Sequence, residues 1–159
     1  MRRALALITI IALWPLARPV AADEVPARVA CLLSHVPDDA HLVVLVPSLE
    51  QFVGGLRAFG RTIGVDDLAD LSVSDALEEP LGEAAAAVDT AGPVALVLSA
   101  ERDEPLILIM LSSIEPWTKL AQPTTLGPAQ CFELPDRRFG AVLSDKVALV
   151  ARDKAELEQ

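Results

Sequence analysis

Val94-Ala95-Leu96-Val97-Leu98-Ser99 and Leu106-Ile107-Leu108-Ile109-Met110-Leu111 are two apolar, β-rich runs held apart by a polar turn through Glu101-Arg102-Asp103-Glu104. So short a link can only turn the chain back on itself. The two strands therefore pair antiparallel, because a parallel pair needs a crossover of a dozen or more residues. Further along, Cys131–Leu134, Phe139–Leu143 and Val147–Val150 are strands of the same kind, joined by turns at Pro135-Asp136 and Ser144-Asp145-Lys146. Toward the N-terminus, His41–Val46 is another, bounded by Pro37 and Pro47 and flanked by helical patterns. Strands that pair with their neighbours, with helices kept apart from them, make an α+β fold. The expectation is a mixed, largely antiparallel sheet of about five or six strands with helices packed on at least one face.

The helices follow from periodicity and caps. One begins near Pro26 and runs through Val29, Leu32 and Leu33 to the turn Pro37-Asp38-Asp39. Ser48 with Gln51 forms a capping box for the next, whose apolar stripe is Leu49, Phe52, Val53, Leu56, Phe59 and Ile63. Gly54-Gly55 lies within it, where close packing on the sheet is its expected use, and Gly64 suits the C-terminal cap. Asp66 to Asp89 is acidic and alanine-rich, and is expected to form two or three short helices broken at Ser72 and Pro80. Ser113 caps a short helix through Trp117 and Leu120, and Ala121–Pro128 is expected as a loop. Asp153 and Glu156 open a last helix. The strands are continuously apolar rather than alternating, so both sheet faces should be buried. The helices are too few for both, which leaves a partner chain, or sequence after Gln159, to cover the second face.

Residues 1–22 have the pattern of a secretory signal peptide: Arg2-Arg3, an apolar run from Ala4 to Trp14, and Val20-Ala21-Ala22 before the cleavage point. Eleven apolar residues fall well short of a hydrocarbon core of roughly 30 Å. The expectation is therefore an exported protein, periplasmic or extracellular, with no stable membrane span after cleavage. Residues 23–159 are then a single α+β domain, since 159 residues cannot supply two cores. Cleavage takes away three arginines and no acid, moving the formal charge from -10 to -13. That charge, with aromatics at 4%, argues against a nucleic-acid partner, which calls for a basic surface and stacking side chains.

The run Pro37-Asp38-Asp39-Ala40-His41-Leu42-Val43-Val44-Leu45-Val46, the Leu/Phe helix after it, and the late pair Phe139-Gly140-Ala141-Val142-Leu143 and Val147-Ala148-Leu149-Val150-Ala151 resemble a family of exported bacterial proteins known only as a domain of unknown function. The resemblance spans roughly residues 36–159. It implies an α+β domain of the cell envelope and brings no catalytic residue with it.

The densest group of chemically capable side chains is His35, Asp38, Asp39 and His41, both histidines and two carboxylates within seven residues. Imidazole and carboxylate on one turn are ligands for zinc or a similar ion. A turn before a strand asks for the same Asp-Asp, so no metal or cofactor is expected. The acidic stretch from Asp66 to Asp89 lacks the alternating Asp loop and glycine of a calcium cage. The serines lie in no nucleophile motif, and Ser48 and Ser113 are explained as caps. Trp117 reads as a packing plug. Cys31 and Cys131, the two cysteines of an exported chain, are expected to form a disulfide. The expected function is an exported non-catalytic domain that binds or organises another envelope component. The alternatives are a metal-assisted hydrolase centred on His35 and His41, and a self-associating structural subunit.

Overall fold

A computed structural model describes residues 24–100, 104–120, 124–126, 129–135, 138–152 and Leu157. The signal-peptide reading of residues 1–22 and all of the last helix but Leu157 lie outside them. In chain order the elements are α1 (Glu24–Leu33), β1 (Ala40–Val46), α2 (Leu49–Ile63), α3 (Asp66–Ala69), α4 (Val73–Leu81), a 3-10 turn (Gly82–Ala87), β2 (Val94–Ser99), β3 (Leu106–Met110), α5 (Glu115–Thr118), β4 (Thr124–Leu126), β5 (Ala129–Glu133), β6 (Phe139–Ser144) and β7 (Val147–Ala151). The fold is α+β.

The sheet order is β1-β2-β3-β7-β6-β5-β4, and every neighbouring pair is antiparallel. Two meanders, β1-β2-β3 and β4-β5-β6-β7, thus join edge to edge through β3 and β7. Beside the six strands of five or more residues there is a short seventh. It is the three-residue β4, within the stretch expected to be a loop, where Thr124, Thr125 and Leu126 pair with β5.

Register sorts the side chains into two faces. Val94, Leu96, Ile107, Ile109, Ala148, Val150 and Phe132 share one face, against which α4, the 3-10 turn and Trp117 of α5 build a buried cluster. Ala95, Val97, Leu106, Leu108, Met110, Val147 and Leu149 share the other, covered by Leu32 of α1 with Leu157 packed against it. Helices therefore lie on both faces, and the second face has cover from this chain's own α1. Among the described residues, the first face stays open at the β1–β2 end, where Leu42 and Leu98 are exposed.

Local chemistry explains the helix limits. Ser48 Oγ accepts the Gln51 N–H at 3.3 Å, and Ser72 Oγ accepts the Asp75 N–H at 2.9 Å. Gly64, at φ 72°, closes α2 in the left-handed region that suits glycine. Pro80 does not break α4. It sits one residue from the end, where its missing N–H disturbs only the last turn. Gly54 and Gly55 do not pack on the sheet: both are exposed, and nothing lies within 4 Å of a Cβ placed on Gly54. The close approach is made instead at Gly60, where α3 crosses α2.

The expected disulfide is not formed. The reason is lateral position. Helix α1 packs over β2 and β3, while Cys131 sits on β5, three strand positions beyond β3. Strands spaced at about 4.8 Å put the two cysteines roughly 14 Å apart across the sheet. A bridge tolerates Cα atoms no more than about 7 Å apart.

Candidate functional site

His35, Asp38, Asp39 and His41 occupy the turn between α1 and β1 and the bulged start of β1. Asp39 Oδ2 accepts the Ser99 hydroxyl at 2.7 Å. His41 Nδ1 lies 3.3 Å from the Ala100 backbone nitrogen and 2.9 Å from the Asp39 carbonyl oxygen, and its tautomer decides which it serves. These contacts reach across about sixty residues of sequence to fasten the start of β1 to the end of β2. His41 and Asp38 are exposed, and His35 is half-buried. Among the described residues no three His, Cys, Asp or Glu side chains come together as a metal site. What the structure brings together here is a strand clasp.

A different feature has the geometry of a binding site. Beneath α2 is a cavity of about 290 Å³ whose fourteen lining residues are all apolar. Leu49, Phe52 and Leu56 of α2 form its roof, and Ala76, Leu77, Pro80 and Leu81 of α4 one wall. The floor is the first sheet face, with Val44 and Val46 of β1 beside Leu96 and Val94 of β2. Its size is close to the lower end of small-ligand sites, about 300 Å³.

The cavity opens into an exposed apolar cleft, and both roof and floor show it. The α2 stripe continues past Leu56 with the same three-four spacing to Phe59 and Ile63, whose relative exposures are 40% and 50%. On the floor, Leu42 and Leu98 face each other in register, two residues beyond Val44 and Leu96 on the same sheet face. They are 48% and 41% exposed. Isolated apolar residues on a surface need no explanation, but a contiguous set continuous with a cavity does. The floor also includes β1, which lies at the edge of the sheet.

Sequence reasoning named every residue of the α2 stripe but took it for core. No local signal separates the inner residues of the stripe, Leu49, Phe52 and Leu56, which stand over the sheet, from Phe59 and Ile63, which are exposed.

The segment after the roof is acidic, whereas α2 itself carries Glu50 against Arg57 and Arg61. Residues 49–87 contain eight carboxylates against two arginines and no lysine, and all ten charged side chains are exposed. Glu50, Glu78 and Glu83 line an open groove of about 670 Å³ on the far side of α4, which shares Leu77 with the apolar cavity. No helix among the described residues is long and apolar enough to cross a membrane. No family model, curated protein or solved structure matches the chain.

Proposed function

We propose that this chain is an exported, non-catalytic domain of the bacterial cell envelope that binds another component through the apolar cleft beneath α2. The observation that carries the proposal is the all-apolar cavity, with the exposed Phe59 and Ile63 farther along the stripe of its roof helix and Leu42 and Leu98 farther along its floor strands. Exposing so much apolar surface disfavours the free state by about 25 cal/mol per Å², and a ligand that covers it recovers that free energy. Export is supported by the composition of residues 1–22. The metal-assisted hydrolase centred on His35 and His41 has less support, because His41 Nδ1 and the Asp39 carboxylate are engaged at the β1–β2 junction.

The test uses a neutral probe that fluoresces in apolar surroundings, N-phenyl-1-naphthylamine. Its emission should rise saturably with the native protein. Ala76→Leu, which fills the cavity from the α4 wall, should weaken that binding while raising stability by about 1 kcal/mol, as cavity-filling changes commonly do. No rise in emission, or equal binding to the filled variant with its fold verified by circular dichroism, would overturn the reading.

A further inference from the structure

Resting on the reading of the cleft as a binding surface, the shape and chemistry of the cavity narrow its occupant. All of its lining residues are apolar. A ligand donor or acceptor placed there would lose its partners in water and gain none. The floor is thinly covered: Val94 and Leu96 are half-buried although β2 has a strand on each side, whereas Ala95 and Val97, on the opposite face, are buried. A volume of about 290 Å³ is that of a box roughly 7 Å on a side. An α-helix with its side chains is wider, at about 10–12 Å. An extended peptide is slim enough, but it carries polar backbone groups at every residue. A hydrocarbon chain is slim and carries none.

The cavity also has a direction. Only Pro47 and Ser48 separate β1 from α2, so the helix runs back over its own strand. At the inner end the first turn of α2 is tied to the chain that enters β2. The Leu49 N–H donates to the Gly92 carbonyl at 3.4 Å, and the Glu50 N–H to the Thr90 carbonyl at 2.9 Å. Pro93, next in the chain, is fully buried. The open end lies the other way, toward Phe59 and Ile63 on the roof helix and Leu42 and Leu98 on the floor strands. From Leu49 to Phe59 the helix rises roughly 15 Å at 1.5 Å per residue. One lipid chain spans about the same distance, half of a hydrocarbon core of roughly 30 Å. The charged side chains in this half of α2 are Arg57 and Arg61, both exposed and neither ion-paired among the described residues. Glu50 stands at the other end.

We propose that the site takes a long-chain fatty acid, tail first, with the methyl end toward Leu49 and the carboxylate outside, at the end of α2 that carries Arg57 and Arg61. The inner part of the chain fills the cavity, and the outer part lies along Phe59, Ile63, Leu42 and Leu98. Burial of methylenes supplies the affinity, and the arginines favour an anionic head over a cationic one. The narrow cavity holds one chain, which separates a fatty acid from a two-chain lipid.

The readout on the full chain is displacement of N-phenyl-1-naphthylamine, with titration calorimetry for stoichiometry. Octanoate, decanoate, dodecanoate and tetradecanoate should bind one to one. Each should bind roughly tenfold tighter than the one before, because every step buries two more methylenes. Dodecyltrimethylammonium should bind severalfold more weakly than dodecanoate, although the protein as a whole is acidic, and Arg57→Gln with Arg61→Gln should erase that preference. Phe59→Ser with Ile63→Ser should weaken tetradecanoate by roughly tenfold, from lost apolar contact, and leave the shorter octanoate unchanged. Both positions are exposed, so neither change threatens the fold. Ala76→Leu, which fills the cavity, should weaken both acids.

Affinity that ignores chain length would overturn the proposal, as would tetradecanoate binding that ignores Phe59→Ser with Ile63→Ser. Equal or tighter binding of the cation would overturn the anionic head. If N-phenyl-1-naphthylamine binds and no fatty acid displaces it, the cleft stands and the fatty acid is wrong. If the naphthylamine does not bind either, the functional reading fails as well. Dimerisation by light scattering that Phe59→Ser with Ile63→Ser abolishes would replace the fatty acid with a second copy of this chain.

Discussion

Gly140 on β6 is where a single missing Cβ decides packing. A Cβ built there would fall 2.3 Å from Trp117 Cζ3 and 2.8 Å from Cη2, so the indole occupies the space any other residue would need. Trp117 is fully buried and meets Phe132 edge-on, with ring centroids 6.0 Å apart at 81°. It closes the end of the first-face core as a plug. Its Nε1 is the one buried polar side-chain atom without a partner among the described residues. A group of that kind is held only because the surrounding ring contacts outweigh its desolvation, about 1–3 kcal/mol. Gly140→Ala should therefore cost about 2 kcal/mol through overpacking. In a Trp117→Leu background, where the outer ring is gone, the same change should cost much less. A double-mutant cycle in urea checks this, and additive costs would refute the direct clash.

Helix α2 shows how one substitution changes sign within one element. Gly54 lies mid-helix on the exposed side, with open space for 4 Å around the point where a Cβ would stand. Gly54→Ala should stabilise the protein by about 0.5–1 kcal/mol, because alanine loses less backbone entropy on folding. Gly60 is buried, and a Cβ there would stand 2.6 Å from Leu68 Cβ and 2.7 Å from the Ala69 backbone nitrogen. Backbone cannot swing aside as a side-chain tip can. Gly60→Ala should push α3 off α2 and lower stability by about 1–3 kcal/mol. Thermal melts of both variants check the pair, and a shift in the same direction for both would refute it. The helix itself was legible: Ser48, Gln51 and Gly64 mark its ends through chemistry confined to a few consecutive residues. Which of its glycines touches another element was not, because α3 lies against Gly60 only once the chain has turned at Gly64.

Over the whole molecule, stability should follow position in the sheet. Strands β3 and β7 join the two meanders at the centre, and β7 is buried along its entire length. Their amides should exchange with solvent slowest, through global unfolding alone. The amides of β1 and of the outer half of α2 should exchange faster, since they border the open cleft. Hydrogen exchange followed by mass spectrometry or NMR checks the ranking. Protection of β1 and α2 equal to that of β7 would mean that the cleft is closed in solution.

Sequence alone was enough for the α+β class, the antiparallel hairpins, the caps at Ser48 and Gly64, and the burial of Trp117. Each depends on residues near one another in the chain, or on a composition that only a core can accommodate. Tertiary structure alone decided the rest. Continuously apolar strands carry no alternation to mark their faces, so nothing local separates the buried Val97 from the exposed Leu98. The separation of Cys31 from Cys131 depends on which strands lie between them, and the order β3-β7-β6-β5 arises from pairing two meanders far apart in sequence. The cleft has the same origin. The α2 stripe was visible in sequence, but which of its residues are covered depends on how the helix lies over the sheet, a relation between elements that no local pattern encodes.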